Sequence, residues 1–145
     1  MANILVIDDE NSIRRSLKEI LEFENHTVDE AEDGEAGYNM ALKNNYDVIL
    51  SDIKMPKLDG LELLQKLNES TILSSIIMMS GHGSIETAVS ALKSGAYDYL
   101  AKPIDLNRLL VTLRNALDRS NLVQETKQLR KKIPESKSNP IIGES

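Results

Sequence analysis

The sequence predicts an α/β fold in which a parallel five-stranded sheet is covered by helices on both faces. Short apolar runs of strand length alternate with segments whose apolar residues recur at helical spacing, and this unit occurs five times along the chain. Alternation of this kind is typical of parallel sheets built from right-handed crossovers. With 145 residues, 41% of them apolar, the chain is long enough for one domain, or one domain with a tail.

The five predicted strands differ in pattern. In chain order they are ILVI (4–7), HTVDEA (26–31), DVIL (47–50), SIIMMS (75–80) and YDYLA (97–101). The first, third and fourth are almost continuously apolar, as strands buried on both faces are, whereas the second alternates and is expected at an edge. We therefore predict a flavodoxin-like strand order, 2-1-3-4-5.

The helices are predicted from apolar residues at helical spacing. Right-handed crossovers should place the first and fifth helices on one face of the sheet and the other three on the opposite face. In chain order the marker residues are Ile13, Leu17, Ile20 and Leu21; Ala36, Met40 and Ala41; Leu61, Leu64 and Leu67; Ile85, Val89 and Leu92; and Leu106, Leu110, Leu113 and Leu117.

The composition changes after Leu117, where DRSNLVQETKQLRKKIPESKSNP is polar and charged. Leu122, Leu129 and Ile133 recur at near-heptad spacing, and Pro134 should end any helix. We predict a domain at 1–117, a helical linker at 118–138 and the start of another domain at 139–145. Burial of the three linker side chains against a second copy would make a homodimer.

Composition also narrows the function. A net charge of −6 argues against direct nucleic acid binding, and one Phe, four Tyr and no Trp leave little surface on which bases or a flavin could stack. The chain has no cysteine, which excludes disulfides and thiol nucleophiles. No apolar run is long enough to span a membrane. We expect a cytoplasmic protein.

Polar residues follow several of the predicted strands. The first strand ends at Asp8 and Asp9, the third at Asp52, the fourth at Ser80 and the fifth at Lys102. Since parallel strands end at the same edge of a sheet, these side chains should converge on one crevice.

Such a group has a defined chemistry. Two carboxylates about 5 Å apart repel by a few kcal/mol at an effective dielectric of about 20, so the cluster requires a cation. Oxygen ligands without His or Cys favour Mg²⁺. Asp52 is then placed as a nucleophile toward phosphorus, and Lys102 and Ser80 suit phosphoryl oxygens. Taken singly, such residues more often belong to turns, loops or helix caps, so the prediction depends on their convergence.

With these residues placed, the sequence resembles a two-component response regulator receiver domain over residues 3–117. The motifs that carry the resemblance are VIDDE, SDIKMPKLDG, MMSGHG and GAYDYLAKP. It implies that a sensor histidine kinase transfers a phosphoryl group from a phosphohistidine to Asp52, and that Ser80 and Tyr99 then switch conformation. It also implies Mg²⁺ ligation by Asp9, Asp52 and the backbone carbonyl of Lys54, with Asp8 acting through water.

The segment GHGSIETAVSALKSGAYDYLAKP is similar to receivers of the nitrogen-regulator class, the enhancer-binding activators that depend on sigma-54. In that class a helical linker leads to an ATPase domain, and NPIIGES resembles its first residues. The sequence contains no GxxxxGK[ST] loop, so we expect no ATP hydrolysis and no separate substrate for this chain.

Two alternatives use related folds. A phosphatase of the haloacid dehalogenase type also has an aspartate nucleophile, but it requires a second acid two residues later, where this sequence has Lys54. A flavodoxin binds a flavin phosphate after its first strand, where Asp8, Asp9 and Glu10 would repel it.

Overall fold

Strands and helices alternate along the chain, as the apolar periodicity predicts. The computed structural model describes residues 2–55, 58–70, 72, 74–81 and 85–118. Among them, residues 106–118 are helical and are called α5. The other elements are β1 (Asn3–Ile7), α1 (Asn11–Phe23), β2 (Thr27–Ala31), α2 (Gly34–Lys43), β3 (Val48–Asp52), α3 (Gly60–Asn68), β4 (Ser75–Ser80), α4 (Ile85–Lys93) and β5 (Asp98–Ala101).

The five strands form one parallel sheet in the order β2-β1-β3-β4-β5. This confirms the predicted order, including the edge position of the alternating second strand. In the register, Ile7 of β1 lies beside Ser51, and Asp52 lies beside Met79 of β4. The carboxyl ends of β1 and β3 are therefore adjacent at the point where the strand order reverses.

The two faces of the sheet carry separate cores, as predicted. One core joins alternate strand residues such as Ile49 and Met78 to α2, α3 and α4. The other joins the intervening residues such as Leu50 and Met79 to α1 and α5. Side chains alternate between the faces of a strand, so β3 and β4 contribute to both cores and are buried throughout.

The helices near the sheet's carboxyl edge begin at short polar caps. Asp33 accepts a hydrogen bond from the backbone N–H of Ala36 at 2.8 Å at the start of α2, and Asp59 accepts one from Glu62 at 2.9 Å at the start of α3. Gly60 follows that second cap, where a Cβ would collide with the backbone of Asp52 and Ile53. A glycine there lets α3 begin directly against the end of β3.

The last two helices depart from the predicted packing. In α4, Ala91 is the buried residue, whereas Ile85 is 84% exposed, and Val89 and Leu92 are also exposed. In α5, Leu106 is exposed and Leu109 takes the core position. Helical spacing identifies an apolar face, but the crossing of the helix over the sheet decides which residues of that face are covered.

Several sequence predictions fall outside the described residues. The linker at 118–138 is described only at residue 118, and the segment 139–145 is not described at all. The domain boundaries therefore stay predictions. In the described part of the chain, no helix has the length and hydrophobicity needed to cross a membrane.

Candidate functional site

A cleft of about 310 Å³ opens at the carboxyl edge of the sheet, where β1, β3, β4 and β5 end. We call it the acidic cleft, and its lining consists of Asp9, Glu10, Asp52, Lys54, Ser80, Gly81 and Lys102. Residues separated by as many as 93 positions meet here because parallel strands end at the same edge. The predicted convergence is confirmed for Asp9, Asp52, Ser80 and Lys102.

Asp8, Asp9 and Asp52 form the acidic group of the cleft. One carboxylate oxygen from each lies within 4.8 Å of the other two. Asp8 and Asp52 are buried, whereas Asp9 is exposed. At this separation the three carboxylates repel one another, so the group favours a cation among its oxygens.

Asp8 is held through both its backbone and its side chain. Its N–H donates to the carbonyl oxygen of Ala31 at 3.1 Å, which continues the pairing of β1 with β2. Its Oδ1 accepts from the N–H of Glu10 at 2.9 Å, and its Oδ2 lies 2.7 Å from the Nζ of Lys102. A fully buried carboxylate is thereby paired and hydrogen-bonded, as burial of a charge requires.

Lys102 supplies positive charge to the cleft. Its Nζ lies 2.7 Å from Asp8 and 3.4 Å from the Oδ2 of Asp52, and its side chain is 10% exposed. Burial acts to lower the pKa of Lys102, but the hydrogen bond with Asp8 and the charges of Asp52 and Asp8 outweigh it, so the pKa is raised. Lys102 is therefore a fixed cation at neutral pH.

Asp52 ends β3 with its carboxylate facing the acidic cleft. Its Oδ1 accepts a hydrogen bond from the N–H of Ile53 at 2.9 Å, which leaves Oδ2 toward Lys102. Burial raises the pKa of Asp52 and the charge of Asp8 raises it further, while Lys102 opposes both. The ionised form is thus held in place by one ammonium and one amide, beside another buried acid.

Ser80 and Tyr99 occupy different positions relative to the cleft. Ser80 is buried, lines the cleft, and accepts a hydrogen bond through its carbonyl oxygen from the N–H of Lys102 at 2.9 Å. Tyr99 lies on β5 beside Met78 and packs on the core that includes α4. Its hydroxyl is buried and has no hydrogen-bond partner among the described residues. Tyr99 is not one of the residues that line the cleft.

The donor set of the acidic cleft suits a hard cation. Three carboxylates supply oxygen, and among the described residues no His or Cys contributes to the group. Lys54 also lines the cleft. A site with few carboxylates and open volume matches Mg²⁺, which keeps several of its waters.

Sequence reasoning missed one group beside the site. Arg14 donates from Nη1 to the carbonyl oxygen of Asp8 at 2.7 Å and from Nε to Glu30 on β2 at 3.0 Å. The order of charges along the chain gives no sign of this contact, because Arg14 and Glu30 are 16 positions apart. Only the packing of α1 against β2 brings them together.

Comparisons with known proteins agree with this geometry. Residues 4–114 match the family described as "Response regulator receiver domain". The C4-dicarboxylate transport transcriptional regulatory protein DctD of Pseudomonas aeruginosa is 36% identical over 132 residues, which are 91% of this chain and 29% of that protein. The chain thus spans less than a third of the length of this relative.

Solved structures give the same result. A receiver domain protein from Clostridium thermocellum superimposes with a TM-score of 0.80 and 36% identity, covering 85% of this chain and 99% of that one. NtrX from Brucella abortus, solved with ATP, gives a TM-score of 0.81 and 38% identity over 88% of this chain and 29% of its own. The family match over most of the chain and the shared sheet together establish that this chain belongs to the response regulator receiver domain family.

Proposed function

We propose that Asp52 accepts a phosphoryl group from a phosphohistidine of a sensor histidine kinase, and that this domain thereby regulates a two-component transcription activator. The observation that carries the proposal is the position of the Asp52 carboxylate, 3.4 Å from the ammonium of Lys102 and grouped with two further acids in an open cleft. A buried carboxylate gains little from such neighbours in a purely structural role, since each added acid costs free energy.

The residues of the cleft have different roles in the phosphoryl transfer. An oxygen of Asp52 attacks phosphorus while the bond from phosphorus to the histidine nitrogen breaks, and the pair of electrons leaves with the imidazole. Lys102 neutralises an oxygen of the transferred group, and the Ser80 hydroxyl donates to another. Ser80 ends β4 and Lys102 directly follows the neighbouring strand β5, so both are held in position before the donor arrives.

Mg²⁺ is the cofactor that we propose for this transfer. Asp9, Asp52 and the carbonyl of Lys54 would hold it, with Asp8 acting through water. When bound, the ion neutralises charge on the phosphoryl oxygens and on the carboxylates. Asp8 supports this role indirectly, because its contact with Lys102 places that ammonium beside Asp52.

The proposed switch follows from charge and packing. A phosphoryl group on Asp52 adds acceptors that would draw the Ser80 hydroxyl inward. Tyr99 packs on the same core as α4 and carries a buried hydroxyl without a partner among the described residues. A side chain in that state loses little hydrogen bonding when it moves, which supports movement of Tyr99 and α4 together.

The larger protein is proposed to be a sigma-54-dependent activator of the nitrogen-regulator class. Support comes from the likeness to DctD and NtrX and from the fraction of their length that this chain spans. We propose a receiver domain at 1–117, a helical linker at 118–138 that pairs with a second copy, and the start of an ATPase domain at 139–145. We also propose that the chain acts in the cytoplasm, turns over no separate substrate and does not itself bind nucleic acid.

The family match favours this function over an aspartate-nucleophile phosphatase. Such a phosphatase would use an acid two residues after its nucleophile, and Lys54 occupies that position here. Lys54 lines the cleft and has no carboxyl proton to give to a leaving group.

The test of the phosphorylation site uses a small acyl phosphate as donor. With Mg²⁺ present, the protein should gain one hydroxylamine-labile phosphoryl group by intact mass, and Asp52→Asn should abolish the gain. Asp59→Asn is the matched control, because Asp59 lies at the end of the loop that follows Asp52 and asparagine also caps helices. Labelling of Asp52→Asn at the wild-type level would show that another residue is the acceptor.

The proposed homodimer is tested separately by light scattering. The chain should have the molar mass of a dimer, and a chain ending at Leu117 should be a monomer, because Leu122, Leu129 and Ile133 would supply the apolar contact. Equal masses for the two chains would contradict the proposed role of the linker, without bearing on Asp52.

A further inference from the structure

The β1–α1 loop is held from outside the cleft by the guanidinium of Arg14. Its Nη1 donates to the carbonyl oxygen of Asp8 at 2.7 Å, and its Nη2 donates to the Oδ1 of Asn11 at 2.7 Å. Its Nε donates to the Oε1 of Glu30 at 3.0 Å, and the side chain is only 12% exposed. One rigid fork thus connects the loop, the start of α1 and the edge strand β2.

The contact with the Asp8 carbonyl controls the residue that follows. The carbonyl of Asp8 and the N–H of Asp9 belong to one planar peptide group, so a bond that fixes the carbonyl also fixes that plane. The direction of the Asp9 side chain then depends on fewer free dihedral angles. Asp9 is the exposed member of the acidic group and gains no orientation from burial.

We propose that Arg14 is a positioning residue for the metal site, acting through the Asp8–Asp9 peptide to aim the Asp9 carboxylate at the cation. The proposal extends the proposed function, since it concerns the same Mg²⁺ site. Residues that orient ligands typically change metal affinity by about 10-fold or more when they are removed.

The charge of Arg14 and its positioning role predict opposite changes in metal affinity when the arginine is removed. A cation near the site repels Mg²⁺, so loss of the Arg14 charge alone would tighten metal binding. Loss of the fixed peptide would weaken it, because the free loop must be ordered when the metal binds. The sign of the change in affinity therefore separates the two roles.

Lys18 provides a matched control. Its Nζ lies 3.6 Å from Glu30, the same acid that Arg14 contacts, but no described contact joins it to Asp8. Lys18→Gln therefore removes a neighbouring positive charge on α1 and leaves the hydrogen bond from Arg14 to the Asp8 carbonyl intact. Any general effect of charge or helix stability should appear in this variant as well.

The experiment measures Mn²⁺ binding by electron paramagnetic resonance, with Mg²⁺ as competitor, on the full chain. Arg14→Gln should bind about 10-fold more weakly. Lys18→Gln should stay within about 2-fold of wild type, because the contact between Arg14 and the Asp8 carbonyl is kept. Arg14→Lys keeps the positive charge but lacks the forked guanidinium. Its Mn²⁺ affinity should therefore fall toward that of Arg14→Gln. Thermal unfolding establishes that each variant is folded, and the amide of Glu10 should exchange faster in metal-free Arg14→Gln than in wild type.

Phosphorylation kinetics complete the test. In Arg14→Gln, a higher Mg²⁺ concentration should be needed to reach half of the limiting rate, while the limiting rate itself stays close to wild type. Equal or tighter Mn²⁺ binding by Arg14→Gln, wild-type binding by Arg14→Lys, or equal weakening by Lys18→Gln would overturn the inference. Metal binding is measured independently of transfer, so a failure of Asp52 as acceptor would be recognised separately.

Discussion

The two sides of the acidic cleft are built differently. On one side, α1 buries Leu17 and Leu21 in the core and is joined to β2 by an ion pair between Arg14 and Glu30. On the other side, α4 buries Ala91 and leaves its larger apolar residues, such as Ile85, exposed. We call these the α1 side and the α4 side.

The difference in burial suits the two sides to different roles. The α1 side can hold the acidic residues in place, and the α4 side can move in response to the site. Asp8 and Asp9 precede α1, so the carboxylates depend on the side with the deeper burial. Ser80 precedes α4, where few buried contacts oppose movement. Regions that move in regulation come from the less stable part of a fold, and the α4 side meets that description.

The largest expected difference concerns one leucine from each side. Leu21→Ala removes a fully buried side chain from α1 and should lower the free energy of unfolding by about 2–5 kcal/mol. Leu92→Ala, on the exposed face of α4, should change it by no more than about 0.5 kcal/mol. Urea denaturation of both variants measures the contrast. Similar losses would mean that α4 is as firmly packed as α1.

Two tyrosines that contribute to the same core differ in the hydrogen bonding of their hydroxyl groups. Tyr46 donates its hydroxyl to Asp29 at 2.6 Å, so Tyr46→Phe should cost about 1.5 kcal/mol, the low end for a bond to a charged group. Tyr99, on the α4 side, has a buried hydroxyl without a described partner, so Tyr99→Phe should be neutral or stabilising by up to about 1 kcal/mol. The free energy of unfolding of each variant is measured in unphosphorylated protein. A clear decrease for Tyr99→Phe would show that the Tyr99 hydroxyl makes a stabilising hydrogen bond.

Phosphorylation should act on the two sides unequally. With Mg²⁺ and an acyl phosphate, amide exchange in residues 85–101 should change by about 10-fold, which corresponds to a coupling free energy near 1.4 kcal/mol. Exchange in α1 should stay as it was, because its core contacts are made in both states. Asp52→Asn treated in the same way is the control. A change confined to α1 would reverse the comparison.

The smallest expected effect is a loss of stability at mildly acidic pH, which arises from His26 on the α1 side. Burial lowers the pKa of His26, which follows α1, although the charges of Glu24 and Asp47 oppose the shift. The unfolded chain then binds the proton more readily, so stability is full above the unfolded pKa of about 6.5 and falls as pH drops through the lower folded pKa. His26→Gln should remove this dependence. Identical slopes for wild type and His26→Gln between neutral and mildly acidic pH would show that other groups cause the loss.

The sequence by itself determined most of the fold. Continuous apolar runs such as Val48–Leu50 identify central strands, and the alternation around Val28 identifies an edge, because a strand's pattern directly reflects which of its faces are buried. Given the flavodoxin-like strand order, the handedness of the crossovers then decides which face of the sheet each helix covers. The positions of Asp52, Ser80 and Lys102 at strand ends follow as well, since each is adjacent in sequence to an apolar run.

Only the tertiary structure decided how those residues are paired and held. Nothing in the sequence shows that Lys102 contacts Asp8 more closely than Asp52, or that Arg14 reaches the carbonyl of Asp8. Likewise, helical spacing did not reveal that Val89 stays exposed. The physical reason is common to all three: local pattern encodes which face of an element is apolar, whereas long-range contacts depend on how separate elements cross and pack, which adjacent residues do not encode.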